Sequence, residues 1–422
     1  MSKTEERIRE IAEPFYYRFF LIPQAKLWQK RCIHAIQKKG RASLVFVVSS
    51  LPMWRSQTLY DRLSKDTRFD LYFALFPLPT FSPAQRSSAI QQLRSYFDKQ
   101  QIPYLDLSGI EKPGHTLRKR LDPDILFYPQ PYSRLFSNDL DSFFFSDKLL
   151  CYIPYAMLTA SEPWAYRNHL DNIAWRLFFQ SESRKKEAAR VLYSRGKNIR
   201  VVGDPIADLF SLPMLRDVWK PQDKKKKRVI WAPHFTLSDD FYLHRDAFAW
   251  LSDFMLDVAA RYYEQIQFAF KPHPRLLSVL YDMPDWGKER ADNYYARWAE
   301  GVNTQLETGN YIDLFKGSDA MIHDSSSFSV EYHFTGKPVL FTATDLEPIT
   351  RSLNEFGQAA IQAHYQGEKN EDILSFLDQV VLKGQDTMAD QRHVFYHQFL
   401  LPPGGKSVAE NIYQNLVTSL WG

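Results

Sequence analysis

The sequence predicts an α/β protein of two Rossmann-like halves, each a parallel sheet wound with helices, the two sheets facing a central cleft. Three observations predict it. Apolar runs of about four or five residues alternate with longer amphipathic stretches, the pattern of strands joined by helical crossovers. The series is interrupted once, by the polar and basic residues 221–228, and then restarts. The chain of 422 residues is long for one domain and comfortable for two. The expected boundaries are a basic amphipathic segment over 1–41, a first Rossmann-like domain over 42–222, a second over 223–405, and a last helix over 406–422 that crosses back onto the first.

Residues 1–41 read as helical. Phe15, Tyr16, Tyr17, Phe19, Phe20, Leu21 and Ile22 lie between Pro14 and Pro23; Lys26, Lys30, Arg31, Lys38, Lys39 and Arg41 follow, with no acidic residue among them. Aromatic side chains beside a basic face suit the interface of an anionic membrane. A helix packed on its domain with a solvated basic face fits the same residues. First-domain strands are expected at 44–48, 70–76, 124–128, 149–153, 177–179 and 199–202, with helices at 87–100 and 183–193. Second-domain strands are expected at 229–231, 266–270, 320–322 and 339–341, with helices at 245–263, 371–382 and 407–420.

Loops at the carboxyl ends of the strands build the ligand site of an open α/β sheet. After the run 266–270 come Lys271, Pro272, His273, Pro274 and Arg275; after 319–322 come His323, Asp324, Ser325, Ser326 and Ser327. The two prolines remove backbone donors and stiffen the turn, which holds the His273 imidazole in one orientation. Lys271 and Arg275 attract the same anion. Three hydroxyls ahead of a helix favour a phosphate by geometry and dipole, although Ser and Asp are equally ordinary helix caps. Glu331 falls about a turn into that helix, either to accept hydrogen bonds from a ribose diol or as a solvated acid. Trp231-Ala232-Pro233-His234 places another histidine at a strand end, a candidate general base or oxyanion partner. Tyr152-Ile153-Pro154-Tyr155 and Pro129-Gln130-Pro131-Tyr132 also end strands, but they hold no acid or base and read more simply as turns. The set suits an anionic ligand, most simply a diphosphate.

Several classes are disfavoured. A net charge of +4 argues for no nucleic-acid partner. Two cysteines make neither a disulfide framework nor a zinc cluster, and a reducing cytosolic setting is the default. No apolar run reaches the ~18 residues of a membrane span, and charges interrupt every apolar stretch near the N-terminus. There is no Walker loop, dinucleotide fingerprint, metalloprotease motif or nucleophile elbow. Asp122-Pro123-Asp124 precedes a strand rather than following one, so neither a metal nor a cofactor is expected. Positive side chains and a helix N-terminus would neutralise the diphosphate instead.

At these residues the second half resembles the CDP-glycerol glycerophosphotransferase family, which builds teichoic-acid-like and capsular polymers. Trp231-Ala232-Pro233-His234-Phe235 is similar to the family's aromatic-Ala-Pro-Thr block, and Phe270-Lys271-Pro272-His273-Pro274 to its Lys-x-His-Pro block. The stretch 318–327, continuing to Lys337-Pro338-Val339-Leu340-Phe341, is similar to its S-D-x-x-I-x-D-x-S-S block with a following K-P-x-x-F. The match covers roughly 199–345; the first half matches in layout. The resemblance implies a GT-B fold with the donor nucleotide held mainly by the second domain and the acceptor by the first. It implies transfer of a polyol phosphate, glycerol phosphate first, from a CDP-activated donor to a hydroxyl acceptor, releasing CMP. His273, Ser326 and Ser327 would contact the diphosphate, and Glu331, where the family more often has Asp, the nucleotide sugar or glycerol.

One block departs. The family's first domain carries Trp-His-Gly, whose His is the presumed base, whereas the corresponding strand end here is Cys151-Tyr152-Ile153-Pro154-Tyr155. His234, standing where the family has Thr, is then the candidate base. The resulting expectation is a peripheral protein on the inner face of the cell membrane, acting on a lipid-linked glycan or polyol-phosphate acceptor in cell-envelope synthesis. The alternatives are a GT-B glycosyltransferase using a nucleotide sugar, or a non-catalytic nucleotide-binding protein.

Overall fold

The computed structural model describes residues 12–132, 135–136, 139–160, 163–236, 247–309 and 311–422. Residues 1–11 of the expected basic segment and 245–246 of the expected helix at 245–263 lie outside them. The chain forms two compact units, one of Met1–Met157, Glu162–Asp208 and Pro402–Gly422, the other of Leu158–Ser161 and Leu209–Leu401.

The first unit is a seven-stranded sheet: β1 (Ala42–Val48), β2 (Phe69–Leu75), β3 (Leu105–Asp106), β4 (Ile125–Tyr128), β5 (Leu149–Tyr152), β6 (Arg176–Phe179) and β7 (Ile199–Val201). All recorded pairings are parallel, in the order β3-β2-β1-β4-β5-β6-β7. The strands are near-continuous apolar runs because helices cover both faces of such a sheet. Phe46 stacks between Phe73 at 5.4 Å and Phe127 at 5.1 Å, a row of rings across three strands. The terminal helix Val408–Trp421 belongs to this unit. Its first amides, of Val408 and Ala409, donate to the Asp208 carboxylate at 2.7 and 2.8 Å. Gly203, at φ 96°, is needed here, since a Cβ would lie 2.8 Å from Val408. The helix Ile22–Lys39 also packs on this unit, burying Ala25 and Ile36.

The second unit is a six-stranded sheet: β8 (Lys227–Ala232), β9 (Ile266–Phe270), β10 (Thr304–Leu306), β11 (Ala320–His323), β12 (Val339–Thr342) and β13 (Tyr365–Gly367). Its order, β10-β9-β8-β11-β12-β13, repeats the layout of the first sheet with one strand fewer at its edge. The basic run 224–228 does not stay outside this unit. Lys227 and Arg228 open β8, with Lys227 facing Asp319 at 3.5 Å and Arg228 paired to Asp217 at 2.7 Å. Trp231 fixes the core: it is 1% exposed and packs on Phe270 at 5.1 Å, Trp298 at 5.3 Å and Phe248 at 5.9 Å. Burying a side chain of this size stabilises by about 2–3 kcal/mol.

All these pairings are parallel, but the order in which strands are added reverses between β8 and β11, and ligands of doubly wound folds bind at the strand carboxyl ends beside that point. Register brings those ends level, with Trp231 opposite Phe270 and Ala232 opposite His323. Among the described residues no helix is long and apolar enough to cross a membrane. Cys32 and Cys151 are both free thiols.

Candidate functional site

Three loops leave the level carboxyl ends of β8, β9 and β11, and backbone geometry ties them together. The loop after β9 is held to β8 by Lys271 N–H donating to Trp231 O at 2.8 Å and His273 N–H donating to Pro233 O at 3.0 Å. The loop after β11 is held to β8 by the Asp324 carboxylate, whose Oδ1 accepts the His234 amide at 2.5 Å. His234, His273 and Asp324 are thereby assembled by contacts with one short segment, Pro233-His234.

Both histidines are oriented by the residue two positions on. The Arg275 amide donates to His273 Nδ1 at 3.1 Å, and the Thr236 amide to His234 Nδ1 at 3.4 Å. For His273 a lone pair on Nδ1 leaves the proton of the neutral ring on Nε2, so this ring offers an Nε2–H donor. His234 has a second relation, its Nδ1 lying 2.8 Å from the Thr236 hydroxyl, which can donate or accept. The two rings are 5.0 Å apart, and Phe235 packs on His273 at 4.5 Å. Arg275 lays its guanidinium over the other partner of that contact, 4.3 Å from the Phe235 ring. Burial, reinforced by the charges of Arg275 and Lys271, depresses the His273 pKa to about 4, so the ring is neutral at pH 7.

Lys271 is buried at the end of β9, and that burial lowers its pKa while the Glu307 carboxylate works against the shift. Arg275 is exposed. Ser325 is buried, whereas Ser326 and Ser327 are half-buried in the turn ahead of Phe328–Glu331. That helix is a single turn continued by the 3-10 turn Tyr332–Thr335.

Three motif residues play structural parts. His323, expected in the loop after β11, is the last residue of that strand and is fully buried. Its Nδ1 accepts the Ser325 amide at 3.1 Å, and its Nε2 faces His364 Nε2 at 3.2 Å. His364 completes the chain by donating from Nδ1 to Ala360 O at 2.6 Å. Lys337 sends its ammonium to three carbonyls, of Phe315, Lys316 and Ser318, closing the end of the helix Ile312–Gly317. Glu331 is completely buried and accepts the Tyr311 hydroxyl, so it is neither a solvated acid nor open to a ligand in this state.

Sequence reasoning found His234, Lys271, His273 and the serines by their places after strands, and the structure brings them together on one sheet edge. It missed Thr236, Glu307, Tyr311 and His364. The cap that Thr236 shares with Arg275 and Ser325 is a backbone amide two residues after a strand-end histidine, which side-chain identity does not mark in the sequence. Tyr152 ends β5 and Pro129 follows β4, both in the first unit. Among the described residues no group of three or more His, Cys, Asp or Glu could hold a metal.

Residues 217–418 match the family described as CDP-Glycerol:Poly(glycerophosphate) glycerophosphotransferase. No curated protein matches the sequence. Among solved structures, a variant of the wall teichoic acid polymerase TagF is similar with a TM-score of 0.61 at 10% identity, over 97% of this chain and 99% of that one. A UDP-N-acetylglucosamine 2-epimerase is similar with a TM-score of 0.58 at 14% identity, over 90% of this chain and 97% of that one. The UDP-GlcNAc 2-epimerase of Neisseria meningitidis, bound to UDP-GlcNAc, gives 0.55 at 14% identity, over 89% and 100%. These neighbours bear out the fold, two Rossmann-like domains of GT-B type. The match over 217–418 bears out the resemblance read from the motif blocks, and with it a glycerophosphotransferase-like enzyme.

Proposed function

We propose that this protein, matched over residues 217–418 to the glycerophosphotransferase family, moves a polyol phosphate from a CDP-activated donor to an acceptor hydroxyl and releases CMP. Glycerol phosphate is the first choice of group. The acceptor is a lipid-linked cell-surface glycan or a teichoic-acid-like or capsular chain, met at the inner face of the membrane. The observation that carries the reading is the gathering of Lys271 and the neutral Nε2–H donor of His273 at the carboxyl ends of β8 and β9, with the His234 ring 5.0 Å from that of His273, a set suited to a diphosphate.

In the transfer, the acceptor oxygen attacks the β-phosphorus, the bond from that phosphorus to the CMP oxygen breaks, and its electron pair leaves on CMP. Such a reaction is governed by positioning and electrostatics. His273, Lys271 and Arg275 take the diphosphate charge, joined by the hydroxyls of Ser326 and Ser327. Asp324 and Ser325 hold the loops that carry them. Glu331 acts through Tyr311 on the ribose or glycerol. His234 takes the proton of the acceptor hydroxyl on Nε2. That role needs the Nδ1–H form of the ring, with the Thr236 hydroxyl as acceptor, and the 2.8 Å contact suits both forms.

The test is a product assay. Wild-type protein with CDP-glycerol and a polyol-phosphate acceptor should yield CMP and a new phosphodiester, and His234→Ala should lose turnover while keeping its fold. A glycosidic product from a nucleotide sugar would replace this reading with that of a sugar transferase. Near-normal turnover by His234→Ala would remove His234 from the chemistry.

A further inference from the structure

A second cationic place lies in the first unit, at the amino-terminal end of its sheet and so away from the strand ends that hold ligands in this fold. Between the helix Ile22–Lys39 and the starts of β6 and β7 is a cavity of about 110 Å³, lined by Lys26, Gln29, Arg176, Ser194, Lys197 and Asn198 among others. Three of these side chains are cations, and no carboxylate is among the lining residues. Arg176 donates to Asn415 at 3.0 Å, Trp175 O at 2.9 Å and Ser419 at 2.8 Å, all neutral acceptors. Burial and the like charge of Arg200 push its pKa down to about 10. Arg176 is half-buried and its guanidinium meets neutral acceptors alone, while Lys26 and Lys197 stand exposed at the rim, so an anion in the cavity would meet three positive charges. The wall is built to persist: Gln29 donates to Ile173 O at 2.8 Å, and Asn198 to Asp171 O at 3.0 Å and Ala174 O at 3.1 Å.

The same helical segment carries an independent feature. Phe15, Tyr16, Phe19 and Phe20, just ahead of Ile22, are each more than half exposed. Their rings pack on one another rather than on the unit, Phe15 on Phe19 at 4.6 Å and Tyr16 on Phe20 at 5.9 Å. The segment cannot fold them inward, because Tyr17 is buried against Tyr193 at 4.9 Å and Lys39 pairs with Asp124. Leu27 and Trp28 extend the exposed apolar surface, with Arg31 over Trp28 at 5.0 Å. An exposed aromatic ridge beside a cavity of uncompensated positive charge is the chemistry of an anionic lipid surface, with rings at acyl-chain depth and cations at the phosphates.

We infer that this cavity receives the headgroup phosphate of an anionic phospholipid while the aromatic ridge enters the interfacial layer. The inference rests on the membrane location proposed above and names the site responsible. The test is flotation of the full chain with phosphatidylcholine vesicles, with and without phosphatidylglycerol. The variants are Lys26→Gln with Lys197→Gln, and Phe19→Ser with Phe20→Ser, each checked for an unchanged melting temperature. Wild type should float only with the anionic vesicles, and each double variant should lose roughly tenfold or more in partitioning. Wild-type flotation by the lysine variant would overturn the proposal. So would a stabilisation by inorganic phosphate that needs the two lysines in a protein that does not float, since the cavity would then serve a soluble anion. CMP release on a soluble acceptor, measured in parallel, separates this question from the transferase reading.

Discussion

The His234 amide donates to Asp324 Oδ1 at 2.5 Å across a gap of 90 residues in sequence, and this bond sets the spacing of two loops of the site. Asp324 is 1% exposed, so its carboxylate is held in place as well as holding. Asp324→Ala should weaken nucleotide binding by roughly tenfold to a hundredfold, the range for losing a buried hydrogen bond to a charged group. Asp324→Asn keeps an acceptor oxygen and should fall between. Calorimetric titration of the folded variants checks this; wild-type affinity in Asp324→Ala would mean that the loops hold their spacing without the bond.

His273 is fixed by the Arg275 amide at 3.1 Å, which commits its free nitrogen to donate. His273→Ala should cost roughly tenfold in donor affinity. His273→Gln, which retains an N–H group, should recover part of that loss. A shift of the loss from KM to kcat alone would assign His273 to the transition state rather than to donor binding.

The buried histidines make stability fall in acid. His273 titrates at about 4 and His364 at about 3, both below the ~6.5 of an unfolded histidine. The unfolded chain therefore takes up protons that the folded unit refuses. Their contribution is complete above about pH 6.5 and is lost progressively as pH falls through about 4. Melting temperatures at about pH 7.5 and about pH 4.5 should show the decline, and His273→Gln should flatten it. Buried His169, at about 4, adds a decline of the same sign from the first unit. An identical slope in His273→Gln would contradict the assignment.

Lys337 belongs to a motif block yet serves three carbonyls of the helix end at Phe315, Lys316 and Ser318. Lys337→Met should cost about 2–3 kcal/mol of stability, the penalty of leaving buried acceptors unmet. The fraction that remains folded should bind nucleotide as wild type does. A selective loss of nucleotide binding without a stability change would give Lys337 a ligand role instead.

The fold was legible where strands are long and buried. β1 over Leu44–Val48, β8 over Val229–Ala232 and β9, broken only by Gln267, are buried apolar runs, and such runs belong to sheets covered on both faces. β3, β10 and β13 were not legible. Leu105-Asp106 is two residues long, and β10 carries Gln305, held by side-chain bonds to Val218 and Glu307 rather than by an apolar pattern. The same logic divides the site. His234, Lys271 and His273 announce themselves by following strands. The burial of Glu331 and His323 depends on Tyr311 and His364, partners that no local pattern specifies.

Nucleotide selectivity at the β8–β11 strand ends decides between a CDP-alditol donor and a nucleotide sugar. Purified wild-type protein and His273→Ala are titrated with CMP, CDP, CDP-glycerol, CDP-ribitol, UDP, GDP and UDP-N-acetylglucosamine, following thermal stabilisation. The cytidine diphosphates should stabilise the wild-type protein above the others, and His273→Ala should lose that effect. Selective stabilisation by a uridine or guanosine nucleotide, or cytidine binding that survives His273→Ala unchanged, would contradict it.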